Sequence, residues 1–275
     1  MKDLLDYFQA KLDDVRRNYL LALEQNDRDG VHDLRVTLKR LKAYFNLIEA
    51  VGERFDARKH FRNFRKIAKN TGGIRDAQVQ QDLLKALEKE TVPNPQGFGD
   101  YLCRKEGESI ERFREFSRLD VVSRLDSAGK SIRKAVRDVS PVWAETKAFG
   151  RFHNLKSDMI ILGEEGDLRN EVLHKVRILS KETHYTFEIL QQCFHLHEDR
   201  EDFITGIKKV HQVLGLWHDY AVCLRYLDEY RTEGETTGDR KTCDNMHRYI
   251  AVEKGKLKKK FLSVFREFCS TAVTL

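Results

Sequence analysis

The sequence is poor in the residues that interrupt helices or tie small domains together covalently. Only 3 prolines occur in 275 residues, Pro93, Pro95 and Pro141, so long helices meet little obstruction. The 5 cysteines, Cys103, Cys193, Cys223, Cys243 and Cys269, are odd in number and scattered. That pattern excludes a zinc ribbon and reads as the reduced thiols of a cytosolic protein. No apolar run approaches the ~18 residues of a membrane-spanning helix. Met1 opens directly into Lys2, Asp3 and an amphipathic pattern, without the apolar core of a signal segment. A soluble, cytoplasmic protein is expected. No glycine-rich loop of the P-loop type appears, and no nucleophile–base pair can be assigned. A large excess of one charge is also missing: 50 basic residues face 44 acidic ones, a net charge of +6. A polyanion partner would have to be held by the placement of cations rather than by their sum.

What is present is helical periodicity along nearly the whole chain. The pattern predicts helices near 2–26, 30–50, 55–71, 75–90, 98–118 and 119–139, then near 144–163, 168–195, 201–214, 218–232 and 239–272. Gly30, Gly72–Gly73, Pro141 and Gly215 mark breaks, as do the stretches 93–99, 163–166 and 234–238. No series of strands is visible, so the fold class is all-α. Apolar residues at 40% allow a real core, and charged residues at 34% leave much surface to be explained.

The elements recur in order. VHDLRVTLKRLKAYFNL at 31–47 aligns with LHKVRILSKETHYTFEI at 173–189, placing His32 on His174, Arg35 on Arg177 and Lys39 on Lys181 at an offset of 142. GGIRDAQV at 72–79 aligns with GLWHDYAV at 215–222, placing Asp76 on Asp219 at an offset of 143. Amphipathic helices align loosely as a rule, which accounts for the apolar matches. It does not account for matched His, Arg and Lys. A duplicated helical unit does, giving a single domain of 1–275 built from two repeats, about 1–140 and about 141–275.

At about 100° per residue, Val31, Leu34, Leu38, Leu41, Phe45 and Ile48 share one face, which is the core side. His32, Arg35, Lys39 and Lys42 fall on a separate arc of about 80°. His174, Arg177, Lys181 and His184 repeat that ridge. Most charge stripes are solvated faces, but such faces mix signs, and these two ridges carry no acid until Glu188. A second basic face follows on the next helix, with Arg58, Arg62, Arg65, Lys66 and Lys69 opposite Phe61, Phe64 and Ile67; His60 sits beside that apolar group. Its counterpart at 201–214 keeps only Lys208 and Lys209. Rows of cations of this kind suit a phosphate chain: Arg offers a planar fork to phosphate oxygens, Lys a point charge, and each contact releases counterions. Histidines beside phosphate would have their charged form favoured.

Other chemistries find weaker support. The His-Asp pairs at 32–33 and 218–219 lack the further ligands of a metal phosphohydrolase, and Asp33 points off the His32 ridge. His195 and His197 are two apart with no third partner in sequence. A phosphorelay histidine would not need two copies each followed by Arg and Lys. The lysine run 254–260 reads as a solvated face with Leu257, Phe261 and Phe265 turned inward. Aromatic residues do not interleave the ridges as base-stacking platforms would, which disfavours nucleic acid.

HDLRVTLKRLKAYF, GGIRDAQV, LHKVRILSKETHYTFEIL and LGLWHDYAV together resemble the paired motifs of the CHAD family, the conserved-histidine α-helical domain. The resemblance covers roughly residues 1–275, and a stand-alone domain without a fused triphosphatase domain is expected. It implies two helical bundles of about four to five helices each, related by pseudo-twofold symmetry around a basic central cavity. It implies non-catalytic binding of inorganic polyphosphate or a similar phosphate polyanion, association with polyphosphate granules in bacteria, and no cofactor or metal. By motif position it carries over to His32, Arg35, Lys39, Lys42, His174, Arg177 and Lys181, and to Arg75 of the Arg-Asp pair. The basic residues Arg62, Arg65, Lys66, Lys69, His184, Lys208 and Lys209 join the expected site from the ridge reading. The chain departs from the family pattern at Glu182 and His184, where further cations are expected, and at His218, where Asn or Arg usually precedes the Asp. An enzyme acting on a phosphorylated compound in the same cavity, or a nucleic-acid-binding protein, remain alternatives from other classes.

Overall fold

The structure, a computed structural model, describes residues 1–24, 27–52, 54–89, 95, 97–166, 168–195, 201–233 and 239–272. In chain order they form α1 (Lys2–Glu24), α2 (Arg28–Val51), α3 (Ala57–His60), α4 (Arg62–Asn70), α5 (Gly72–Lys89), α6 (Phe98–Ser117), a 3₁₀ turn (Val122–Leu125), α7 (Asp126–Val136), α8 (Pro141–Glu164), α9 (Asn170–Cys193), α10 (Glu201–Glu233) and α11 (Arg240–Ala272). There is no strand among the described residues, in agreement with the all-α expectation.

Local chemistry sets several boundaries. Asp27 caps α2, its carboxylate accepting from the Gly30 amide at 2.7 Å. Ser140 caps α8 with Pro141 at the first helical position. Gly30 is required by packing, because a Cβ there would lie 2.7 Å from the Leu21 Cβ and 3.2 Å from the Ala22 amide nitrogen of α1.

Two predicted boundaries are corrected. The stretch 55–71 is one turn, α3, followed by α4, with Phe61 between them. The break predicted at Gly215 does not exist, and 201–233 is one helix. A lone glycine costs a helix only ~1 kcal/mol, and with no proline nearby the packed flanks carry the helix through. The glycine aligned with it in sequence, Gly72, does start a new helix. Among the described residues, six helices of nine or more residues lie within 1–140 and four within 141–275.

One large core draws on both halves of the chain, from Leu4, Phe8 and Tyr44 through Phe152 and Phe187 to Phe261 and Phe268. The Tyr44 hydroxyl, inside it, donates to the Leu4 carbonyl at 2.7 Å. A smaller aromatic core, with Phe98, Tyr101, Tyr226 and Tyr230, joins the outer halves of α5, α6, α10 and α11. Helices α5 and α10 run from the first core, through Ile74 and Trp217, to the second, through Leu84 and Tyr226. The stretches in between are free to line a cavity. No helix of the described chain is long and apolar enough to cross a membrane.

Candidate anion-binding site

Where α5 and α10 pass between the cores, they face α2 and α9 across a cavity of about 420 Å³. Helix α2 contributes His32, Arg35, Lys39 and Lys42, and α9 contributes Arg177 and Lys181. Helix α5 adds Arg75 and Asp76, and α10 adds His218 and Asp219. Val36, Val79 and Val222 supply apolar wall between them. The packing of α2 on α9 thus brings two ridges 142 residues apart in sequence to one space.

The cations are held with few partners of their own. Arg35 donates to the Ala68 carbonyl at 2.8 Å, in the last turn of α4, where carbonyls lack helical partners. The Arg177 Nε is buried and has no hydrogen-bond acceptor among the described residues. Gln80 donates to the Asp219 carbonyl at 3.2 Å and fixes α5 against α10. Burial and like charge both oppose ionisation here. Lys39 touches water through the cavity, yet the protein around it, with Arg35, Arg177 and Arg75 nearby, pushes its amine down to about 8. Burial, then Arg177 and Lys39, push Lys181 down to about 7. His218 falls to about 4 through burial, Arg177 and His174, and His32 is lowered through burial and Arg75. Burial raises the Asp219 carboxyl despite Arg177 and Lys181 beside it. The cavity therefore gathers cationic groups with too little counter-charge of their own.

Seven of the expected site residues line this cavity: the four of α2, Arg75, Arg177 and Lys181. Eight do not. His174 stands outside the lining with its ring 5.9 Å from that of His218. His184 turns to α10, its ring 5.2 Å from His211 and its Nε2 3.7 Å from Glu188. Lys208 and Lys209 are exposed on α10, and Lys209 pairs with Glu267 at 2.6 Å. Arg62, Arg65 and Lys66 are exposed on α4, and Lys69 at its end borders a neighbouring groove. Conversely, Asp76, His218, Asp219, Tyr185 and Glu182 line the cavity without having been assigned to it. Asp76 and Asp219 carried a signal, since they match in the repeat. Glu182 is neutralised locally by Arg151 and accepts from Asn46 at 2.8 Å. His195 is exposed with its Nε2 3.6 Å from Asp3, and His197 lies outside the described residues. Among the described residues no group of three or more His, Cys, Asp or Glu is placed to hold a metal ion.

A sequence profile of the CHAD domain matches residues 6–228, most of the chain. The chain belongs to the CHAD family. Two solved structures share the CHAD-type fold. A crystal structure of the CHAD domain from the plant Ricinus communis superposes with a TM-score of 0.76 at 15% identity, covering 96% of this chain and 91% of that one. PptA from Streptomyces chartreusis superposes with a TM-score of 0.64 at 13% identity, covering 98% of each chain. At these identities the likeness shows the fold alone. No curated protein matches the chain in sequence.

Proposed function

We propose that this CHAD protein binds inorganic polyphosphate, or a closely similar phosphate polyanion, in the cavity between α2 and α9, and does so without turning it over. The observation that carries the reading is the convergence of Arg35, Lys39, Arg177 and Lys181 on one cavity, with Arg75 beside them, against the two carboxylates Asp76 and Asp219. Cations crowded this closely raise each other's cost of ionisation. A multivalent anion removes that cost and adds charge-assisted hydrogen bonds from two guanidinium groups. Family membership is consistent with this ligand.

A pseudo-twofold relation between the repeats fits the contacts of α2 with α9. Arg40 pairs with Glu188 at 2.9 Å, and Asn46 donates to Glu182 at 2.8 Å. At an offset of 142, Arg40 corresponds to Glu182 and Asn46 to Glu188. The two contacts thus join the same pair of repeat positions in opposite directions, as a twofold axis requires. The shared core favours one domain of two repeats rather than two domains.

A second reading, catalysis on a phosphorylated compound, draws on Asp76 and Asp219 in the cavity wall. Titration with polyphosphate and with duplex DNA, paired with a phosphate-release assay in magnesium or manganese, tests both. We expect binding of polyphosphate over DNA and no release. Steady release that disappears in His32→Ala or Asp219→Asn would overturn the non-catalytic reading, and tighter binding of DNA would overturn the ligand class.

A further inference from the structure

A long acid-free basic stretch lies outside the cavity lining, apart from Arg75 at its end. Between Asp56 and Asp76 there is no acidic residue, and Arg58, Lys59, Arg62, Arg65, Lys66, Lys69 and Arg75 fall within it. Arg62, Arg65, Lys66 and Lys69 share one side of α4 within an arc of about 100°. All four are exposed, and none pairs with a carboxylate among the described residues. A solvated helix face of ordinary type would mix signs.

The structure connects this face to the cavity. A groove of about 400 Å³ lies against the start of α5, bordered by Lys69, Arg112, Arg225 and Asp76. Asp76 also lines the central cavity, so the two spaces adjoin at that residue. Gly72 borders the groove and lies against Arg35 of the cavity: a Cβ there would be 3.5 Å from the Arg35 Nη1. Gly73 cannot bear a side chain without displacing Ser109, whose Oγ would be 2.6 Å from its Cβ. The groove floor at this junction is therefore backbone.

The groove lining carries four cations, Lys69, Lys105, Arg112 and Arg225, against three carboxylates, Asp76, Glu108 and Glu229. The nearest carboxylates to Arg225 are Asp76 at 3.9 Å and Glu229 at 4.0 Å, both beyond hydrogen-bond length. Arg112 bonds the Ser109 hydroxyl at 2.8 Å, with Glu108 4.0 Å away. Glu108 itself is held by Arg104 at 2.7 Å, and Lys105 by Glu233 at 2.9 Å. The junction carboxylate, Asp76, lies between Arg35 in the cavity and Arg225 in the groove.

We propose that a polyphosphate chain too long for the cavity leaves it past Asp76, crosses Arg225 and Lys69, and continues along the outer face of α4 over Lys66, Arg65 and Arg62. This rests on the polyphosphate reading of the cavity. The track is one-sided. The corresponding face of the second repeat has acids at Glu201 and Asp202, keeps only two lysines, and has Lys209 tied to Glu267. The chain therefore exits over the first repeat. The cavity supplies the common binding step, and the α4 face supplies added affinity only to long chains.

The test compares tripolyphosphate with long-chain polyphosphate on three proteins: wild type, Arg62→Glu with Lys66→Glu, and Lys208→Glu with Lys209→Glu. The two double variants change net charge equally, all four sites are exposed, and thermal melts check folding. For the α4 variant we expect affinity for long chains to fall about tenfold or more, with the slope of log K against log salt flattened by about 0.7 for each phosphate that is no longer neutralised. Its tripolyphosphate affinity should stay within about twofold, since those residues lie outside the cavity. The α10 variant should change neither. Unchanged long-chain binding in the α4 variant overturns the track, as does an equal loss in the α10 variant or an equal loss for both ligands. A wild type that binds tripolyphosphate but gains nothing from length overturns the track and leaves the cavity reading standing. A wild type that binds neither ligand overturns both.

Discussion

Arg40 of α2 and Glu188 of α9 form an ion pair 2.9 Å long between the two halves of the chain, with each side chain at least two-thirds buried. The Arg40 Nη2 adds a second bond at 3.2 Å, and the Glu188 carboxylate holds the guanidinium charged. Removing Arg40 leaves a largely buried carboxylate without its guanidinium, with His184 3.7 Å away. Arg40→Leu should cost about 1.5–3 kcal/mol in chemical denaturation. Adding Glu188→Gln should recover part of that. Full additivity of the two substitutions would show the pair to be uncoupled.

Affinity for polyphosphate should decline with alkalinity in the window set by the two cavity lysines. Without phosphate Lys181 sits at about 7 and Lys39 at about 8. Phosphate oxygens favour the charged amines, so both rise on binding. Below pH about 7 the amines are already charged and affinity is full. As pH rises past about 7 and then about 8, binding must take up protons, and affinity falls until the bound-state values are reached. Calorimetry near pH ~7.5 should give a heat that depends on buffer ionisation, with net proton uptake. A flat pH profile from about 6 to 9 would contradict the crowding of these amines. His218, at about 4, and His32, also lowered, add charge only at more acid pH.

Arg35→Ala and Arg177→Ala should each weaken polyphosphate binding and reduce its salt dependence, because each removes a cavity cation. Lys254→Ala should do much less: its amine stands 5.6 Å from the Trp217 ring, on α11 outside the cavity lining. A larger effect from Lys254→Ala, measured at two salt concentrations, would move the binding surface to α11.

Gly215→Ala tests the continuity of α10. Gly215 lies in mid-helix, and no atom would lie within 4 Å of a Cβ there. The substitution should stabilise the fold by about 0.5–1 kcal/mol through helix propensity. A helix ending at this glycine in a left-handed conformation would instead be destabilised. Gly30→Ala should act in the opposite direction, costing about 1–3 kcal/mol, because α1 leaves no room for the methyl group. Thermal melts of the two variants would separate these outcomes.

Much of this protein was legible without coordinates. The 3.6-residue period, few prolines and capping residues such as Asp27 and Ser140 act over one or two turns, so the sequence alone determined the all-α class and most helix positions. The sequence match at offsets of 142–143 residues named the ridges, because it paired His, Arg and Lys and not only apolar positions. Which members of a ridge meet was decided only by tertiary packing. Lys42 and His184 hold equivalent positions, yet Lys42 reaches the cavity while His184 is turned toward His211 of α10 and Glu188 of its own helix. Asp76 and Asp219 joined the wall because α5 and α10 cross between two cores, a consequence of contacts far apart in the chain. Gly215 shows the same division: locally it reads as a break, and the long-range packing of Leu214 and Trp217 on either side carries the helix through.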